Sequence, residues 1–222
     1  MKAKLISLII FLLAVIIQLL SQVFSWDMLS MVSKPVLMPA LIAYFYYTVK
    51  VKEKIAFYLV MALFFSWLGD VLLIFQNLDT LYFIIGLVSF LTAHVLYIII
   101  FRKTNDDFKP KTFTYATGFL LIVFGGLLLM LLWPGLGEMK IPVTIYTLVI
   151  IVMGLAALFR KAEGSSLILI GAMLFITSDS LLAINKFNTP VLGANIWIMA
   201  TYILAQYFII AGMINYFTNR EV

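Results

Sequence analysis

The chain has 222 residues, of which 64% are hydrophobic and only 11% are charged, and its mean hydropathy is +1.13. Soluble domains are typically about 45–50% apolar and about 25% charged, so this composition excludes an ordinary soluble domain and indicates a polytopic membrane protein. The chain has no cysteine, which excludes disulfides, thiol nucleophiles and zinc–thiolate sites.

Eight apolar runs follow one another along the chain, each near the roughly 20 residues that a helix needs to cross the hydrocarbon core. They are Leu5–Phe24, Leu29–Val49, Ile55–Phe75, Leu81–Phe101, Phe113–Trp133, Ile141–Phe159, Leu167–Ile184 and Leu192–Phe217. Their connections are short, and no linker or low-complexity segment marks a second domain. The sequence therefore predicts an all-α bundle of eight transmembrane helices that forms one domain over residues 1–222.

The first run has a second interpretation, because Lys2 and Lys4 followed by an apolar stretch also describe a signal peptide. The run is about 20 residues long, and Ser21-Gln22-Val23-Phe24 offers no Ala-x-Ala cleavage site. We therefore expect a retained helix; cleavage would leave seven.

The net charge of +5 is explained by topology. With a cytoplasmic N-terminus, twelve of the 15 Lys and Arg residues fall on the cytoplasmic side, and Lys34, Lys140 and Lys186 fall on the other. The twelve are Lys2, Lys4, Lys50, Lys52, Lys54, Arg102, Lys103, Lys109, Lys111, Arg160, Lys161 and Arg220. By the positive-inside rule, both termini are cytoplasmic, and no nucleic acid is needed as a partner. Short loops and the lack of a targeting signal favour a bacterial cytoplasmic membrane over an organelle.

Two aspartates, Asp70 and Asp179, lie inside the third and seventh runs. A carboxylate at membrane depth costs about 2.5–3.5 kcal/mol on insertion scales, so a functional role is the first hypothesis. The alternative is that they only form hydrogen bonds between helices. Each lies five or six residues from the expected outer end of its helix, roughly 8–9 Å at about 1.5 Å per residue.

The two aspartates also suggest an internal repeat. An offset of 109 positions superposes Gly69-Asp70-Val71-Leu72-Leu73 on Ser178-Asp179-Ser180-Leu181-Leu182, and nearly the same offset relates Lys34-Pro35 to Lys140-Ile141-Pro142. Residues 1–110 and 111–222 would then be parallel four-helix repeats whose aspartates face each other. A match this short also arises by chance.

Further polar residues are expected to join the aspartates in a funnel that opens outward. His94 and Tyr97 lie in the fourth run, Tyr146 near the start of the sixth, and Tyr202 and Gln206 on one face of the eighth. Lys34 and Lys186 are expected at the mouth, where the alternative is simple snorkelling to the interface. His94 has the alternative of a neutral core histidine bonded to a backbone carbonyl.

The chain resembles the lysoplasmalogenase family of integral membrane proteins, the YhhN-like group, over nearly its whole length. The residues that carry the resemblance are Lys34-Pro35, Ser66-x-x-Gly69-Asp70, Phe83-x-x-Gly86-x-x-x-Phe90-x-x-x-His94-x-x-Tyr97, Gly171-x-x-x-Phe175-x-x-Ser178-Asp179, Asn185, Phe187 and Tyr202-x-x-x-Gln206. The resemblance implies an eight-helix enzyme that cleaves the vinyl ether bond of lysoplasmalogens to a fatty aldehyde and glycerophospho-ethanolamine or -choline. It implies functional roles for Asp70, His94, Tyr97, Asp179 and Asn185, with Lys34 at the mouth.

That chemistry suits two buried carboxyl groups. Vinyl ether hydrolysis starts with proton transfer to carbon, and a low-dielectric environment favours the protonated form of a carboxylic acid that can donate this proton. A second, ionised carboxylate stabilises the oxocarbenium ion, as in the two-carboxylate glycosidases, and directs water onto it. The sequence leaves open which aspartate has which role. Lys34 or Lys186 is expected to meet the lipid phosphate.

Other classes remain open. One histidine and no cysteine exclude a three-histidine zinc site, although a metal held by Asp70, Asp179 and His94 is conceivable; we expect no metal and no cofactor. A proton-linked transporter and a non-catalytic lipid-binding protein are the rival functions, because intramembrane Asp and His residues also mark proton relays. The expected partners are a lysophospholipid and the bilayer, and no protein partner is evident.

Overall fold

The computed structural model describes residues 2–49, 53–106 and 111–219. In this part of the chain there are eight α-helices and no strands. The helices are α1 (Lys2–Val23), α2 (Asp27–Thr48), α3 (Lys54–Ile74), α4 (Thr80–Lys103), α5 (Thr112–Leu132), α6 (Lys140–Leu158), α7 (Ser165–Phe187) and α8 (Ala194–Thr218). Two 3₁₀ turns, Trp133–Gly135 and Gly137–Met139, join α5 to α6. All eight helices are long and apolar enough to cross a membrane.

The prediction of an all-α protein with eight membrane-length helices is confirmed. The largest differences are at the start of α1, which begins at Lys2 instead of Leu5, and at the end of α7, which continues three residues past the predicted end at Ile184 to Phe187. Asn185 and Lys186 lower the local hydropathy, but a cation in the last turn of a helix interacts favourably with the helix dipole, so the helix continues through them.

The placement of the termini in the cytoplasm stays a prediction. Four of the cations on which it depends, Lys50, Lys52, Lys109 and Arg220, lie outside the described residues. The chain forms two compact units, and the single domain and the internal repeat also stay predictions. The first unit extends to Ile100 and includes the chain from Met213 onward, and the second runs from Phe101 to Gly212.

In the first unit, α1 and α2 are joined by polar side chains. Gln18 of α1 is fully buried, its amide donates to the Ser30 hydroxyl at 3.0 Å, and its carbonyl accepts from the Ser33 hydroxyl at 2.6 Å. Gln22 donates to the same Ser30 hydroxyl at 2.8 Å. Because a polar group in an apolar environment is costly unless it is hydrogen-bonded, these contacts favour one register of the two helices.

One hydrogen bond between α2 and α3 follows from a proline in α2. Pro39 has no N–H, so the carbonyl of Pro35, four residues earlier, receives no hydrogen bond within the helix. The indole N–H of Trp67 in α3 donates to this carbonyl at 2.9 Å. The carbonyl that lacks a partner within α2 thus accepts a hydrogen bond from α3 and links the two helices.

In the second unit, α7 packs closely against α8. A Cβ atom at Gly171 would lie 2.8 Å from the carbonyl oxygen of Ala205, closer than real Cβ contacts allow, so only glycine permits this approach. At the start of α7, Gly164 adopts the left-handed conformation with φ of 74°. The position of α7 therefore depends on glycine at both places.

The connections at one end of the second unit are held by Arg160, which is 3% exposed. Its Nε donates to the Thr104 hydroxyl at 2.9 Å, and its Nη1 donates to the Glu163 carbonyl at 3.0 Å and to the Ser165 hydroxyl at 2.8 Å. Arg160, which from the sequence counts only among the cytoplasmic cations, thus also links the segment after α4 to the segment between α6 and α7 by hydrogen bonds.

Candidate functional site

Asp70 lies on the buried face of α3. Ser66, Gly69, Asp70 and Leu73 are all buried, and their spacing of three to four residues places them on one side of the helix. A Cβ atom at Gly69 would lie 2.6 Å from the ring of Phe90 in α4. Glycine before the aspartate therefore allows α4 to approach α3 at the level of the carboxylate.

The carboxylate of Asp70 is paired with Lys34 of α2. The Nζ atom of Lys34 lies 3.5 Å from Oδ1 of Asp70, and the two side chains are 16% and 3% exposed. Ionisable groups within membrane-spanning segments characteristically pair with one another, because an isolated charge there is costly. The structure thus joins two residues that the sequence singled out for different reasons.

His94 and Tyr97 follow each other by one turn on α4, in the same unit as Asp70. Both side chains are fully buried. The outward-opening polar funnel in which the sequence placed them, and their catalytic relevance, stay predictions.

Asp179 is the corresponding carboxyl of the second unit, on α7. Its Oδ2 accepts a hydrogen bond from the phenol of Tyr146 in α6 at 2.5 Å. The preceding residue, Ser178, donates its hydroxyl to the carbonyl of Ile198 in α8 at 2.9 Å. One turn of α7 is therefore attached to α6 through the aspartate and to α8 through the serine.

The remaining predicted residues of this unit lie on α7 and α8. Tyr202 is buried and meets the ring of Phe175 edge-on with centroids 5.5 Å apart, and Gln206, one turn further along α8, is fully buried. Asn185 accepts the backbone N–H of Val191 at 3.0 Å, which closes the connection from α7 to α8. Lys186 is exposed in the last turn of α7.

An apolar groove, which the sequence did not predict, runs between α5 and α7. It has a volume of about 370 Å³. Its lining comprises Phe124, Leu127, Leu128, Leu131, Thr177, Ser180, Leu181 and Ile184. The hydroxyls of Thr177 and Ser180 donate to the carbonyls of Met173 and Ile176 within α7, so the groove presents a largely apolar wall.

The two aspartates differ in their distance from the ends of their helices. Asp70 lies four residues before Ile74, the last residue of α3, whereas Asp179 lies eight residues before Phe187, the last residue of α7. At about 1.5 Å per residue these are roughly 6 Å and 12 Å. The similar distances of five and six residues expected from the sequence are not observed, because α7 extends through Asn185 and Lys186.

The hydrogen bond from Trp67 to the carbonyl of Pro35, near Asp70, was not predicted from the sequence. Its signal was present, because Pro39 has no N–H and so leaves the carbonyl of Pro35 without a donor of the same helix. Within either unit, no three or more His, Cys, Asp and Glu side chains of the described residues are grouped as the ligands of a metal ion would be.

Comparison with known proteins relates the chain to one family. The model of the YhhN family matches residues 29–213. The chain is 34% identical over 155 residues to lysoplasmalogenase TMEM86A of Bos taurus, and this alignment covers 65% of this chain and 60% of that protein. It is 32% identical over 169 residues to the lysoplasmalogenase of Mycobacterium tuberculosis, with 74% and 62% covered.

A third relative is human lysoplasmalogenase TMEM86B, 34% identical over 159 residues, with 67% of this chain and 59% of that protein covered. The matched part of the chain thus spans about three fifths of the length of these relatives. No solved structure matches the chain.

Proposed function

Because the chain belongs to the YhhN family, we propose that it is a membrane-embedded hydrolase that cleaves the vinyl ether bond of lysoplasmalogens. The products are a fatty aldehyde and glycerophosphoethanolamine or glycerophosphocholine. The relatives named lysoplasmalogenase support this proposal. The observation that carries it is that two aspartates in membrane-length helices each contact a polar side chain of a neighbouring helix, Lys34 for Asp70 and Tyr146 for Asp179.

The proposed reaction needs one proton donor and one anion. A carboxylic acid transfers its proton to the carbon of the double bond that is not attached to oxygen. This protonation converts the vinyl ether into an oxocarbenium ion. A second carboxylate stabilises this cation. Water adds to it and gives a proton to the carboxylate left by the acid, which restores the acid and forms a hemiacetal. The hemiacetal collapses to the aldehyde and the glycerol hydroxyl, so the net change is the addition of one water. We assign these two roles to Asp70 and Asp179.

The remaining predicted residues receive supporting roles. His94 and Tyr97 of the first unit and Tyr202 and Gln206 of the second are buried and polar, and we assign them roles in substrate binding or in support of the carboxyl groups. Tyr146 orients Asp179 through its hydrogen bond.

Lys186, exposed at the end of α7, is suited to the lipid phosphate, and Asn185 supports it by closing the loop that follows. The alkenyl chain is assigned to the apolar groove between α5 and α7, whose lining suits a hydrocarbon. The proposed location is a bacterial cytoplasmic membrane.

The test is an aldehyde-release assay on the purified protein with vinyl ether, alkyl ether and ester lysolipids side by side. We expect aldehyde from the vinyl ether alone. Asp70→Asn and Asp179→Asn should each abolish release while the protein stays folded in detergent. Asp79→Asn is the matched control, because Asp79 is exposed and accepts the backbone N–H of Leu81 at the start of α4, a capping role that asparagine also fulfils.

Two results would contradict the proposal. Turnover retained in both variants would refute catalysis by the carboxyls. Absence of aldehyde from the wild-type protein with every substrate would refute the hydrolase, and solute flux in proteoliposomes would then support the transporter.

A further inference from the structure

Lys34 lies within ion-pairing distance of Asp70, the proposed catalytic carboxyl of the first unit. Its ammonium lies 3.5 Å from Oδ1 of Asp70, and only 16% of its side chain is exposed. A lysine that served the interface would extend its ammonium into water or toward lipid headgroups. Lys34 instead turns its charge toward α3.

The pairing restricts what else Lys34 can bind. Asp70 has 3% of its side chain exposed, so water contributes little to its ionised form, and the nearby ammonium of Lys34 stabilises that form. If the ammonium moved to a substrate phosphate, it would leave a desolvated carboxylate behind. Removing one partner of a buried ion pair is strongly unfavourable, so the pair opposes this movement.

The backbone on both sides of the pair is held in place. Trp67 donates to the carbonyl of Pro35 at 2.9 Å, and these residues are three positions before Asp70 and one position after Lys34. The ring of Phe90 occupies the space beside Gly69, so α4 supports α3 next to the aspartate. The distance between the ammonium and the carboxylate is therefore set by the packing of three helices.

We propose that Lys34 is a positioning residue that keeps Asp70 in the ionised form that stabilises the oxocarbenium ion, and that it does not bind the substrate phosphate. This inference rests on the proposed vinyl ether hydrolysis. It assigns the anionic role to Asp70 and leaves proton donation to Asp179. Electrostatic stabilisation of charge that develops in the transition state affects kcat more than KM.

The experiment compares a lysoplasmalogen with a 1-alkenyl glycerol, which has the same vinyl ether and no phosphate. Lys34→Met is expected to lower kcat by about 100-fold on both substrates, with KM nearly unchanged, because groups that stabilise transition-state charge contribute on this scale. Lys34→Arg keeps the positive charge and should restore kcat to within about tenfold of the wild type.

Lys140→Met is the matched control. It removes a lysine from the first turn of α6, where the ammonium lies 5.1 Å from the centre of the Trp133 ring, and it should leave kcat unchanged on both substrates.

The outcomes separate the two proposals. If wild-type protein releases no aldehyde from either substrate, the proposed function fails. If the wild type is active and Lys34→Met loses activity only on the phosphorylated substrate, or loses it only through KM, Lys34 binds phosphate and the positioning role is refuted.

If Lys34→Met is not recovered folded, the same two-substrate comparison is made with Lys34→Arg, and thermal unfolding is measured for Lys34→Met/Asp70→Asn. If Lys34 and Asp70 form an ion pair, the double variant should fold, because removing both charges leaves neither of them buried without a partner. A double variant that also fails to fold, or a Lys34→Arg defect confined to the phosphorylated substrate, would overturn the inference.

Discussion

Replacing Tyr146 by phenylalanine removes one hydroxyl from the contact with Asp179 and changes little else. Tyr146 is 9% exposed, and its hydroxyl donates to Oδ2 of Asp179 at 2.5 Å. Phenylalanine keeps the ring, so no large cavity forms and α6 retains its packing. The variant therefore isolates the hydrogen bond.

The magnitude follows from the type of acceptor. Asp179 is the proposed proton donor, so its reactive form is a neutral carboxylic acid, and a hydrogen bond between neutral groups contributes about 0.5–1.5 kcal/mol. If this contribution is expressed fully in the transition state, kcat falls by about 2- to 12-fold, because each step of about 1.4 kcal/mol is a factor of ten. KM should change much less, since Tyr146 contacts the carboxyl rather than the proposed headgroup ligand.

The assay is steady-state aldehyde release in detergent micelles, with thermal unfolding measured in parallel. Tyr46→Phe is the control, because Tyr46 is 70% exposed on α2 and should tolerate the same loss of a hydroxyl. A kcat for Tyr146→Phe equal to that of the wild type, in a protein that unfolds normally, would refute the role of Tyr146 in orienting Asp179.

Two further predictions concern the packing of α2 against α3 and the proposed site of the lipid chain. Trp67→Phe removes the donor to the Pro35 carbonyl and should lower the free energy of unfolding by about 1–3 kcal/mol, measured by denaturation in mixed micelles; an unchanged value would mean that the bond does not hold α2 to α3. Thr177→Trp fills the groove between α5 and α7 and should raise KM more for long-chain than for short-chain lysoplasmalogens. Leu120→Trp, on an exposed part of α5 outside the groove, is its control, and equal effects of both variants on all chain lengths would refute the chain site.

The helices were predictable because their cause is local. A run of about 20 apolar residues must satisfy its own backbone hydrogen bonds in a membrane, and a helix is the way one segment does this. All eight runs became helices. The end of α7 was predicted less well, because Asn185 and Lys186 end an apolar run without ending the helix.

The two aspartates were predictable as candidates for a related reason. Asp70 and Asp179 are costly residues in otherwise apolar segments, and this cost is visible without coordinates. Lys34 and Tyr146 were also singled out, but the sequence directed Lys34 to the lipid phosphate. The pairing of Lys34 with Asp70 depends on the packing of α2 against α3, which no local pattern specifies.

The contact between Trp67 and α2 had a signal in the sequence. Pro39 leaves the carbonyl of Pro35 without a helical donor, and Trp67 lies three residues before Asp70. The groove between α5 and α7 had no such signal, because its lining residues are ordinary apolar side chains of two helices.

The sequence by itself determined the all-helical architecture, the eight membrane-length segments and the two carboxyls that need an explanation, because each depends on the transfer of residues from water to an apolar medium. Only the tertiary structure decided that Lys34 faces Asp70, that Tyr146 faces Asp179 and that Asn185 closes a loop. These pairings join residues tens of positions apart or depend on how a connection turns. They arise from the packing of whole helices, in which a proline, a glycine or one buried hydrogen bond decides which side chains meet.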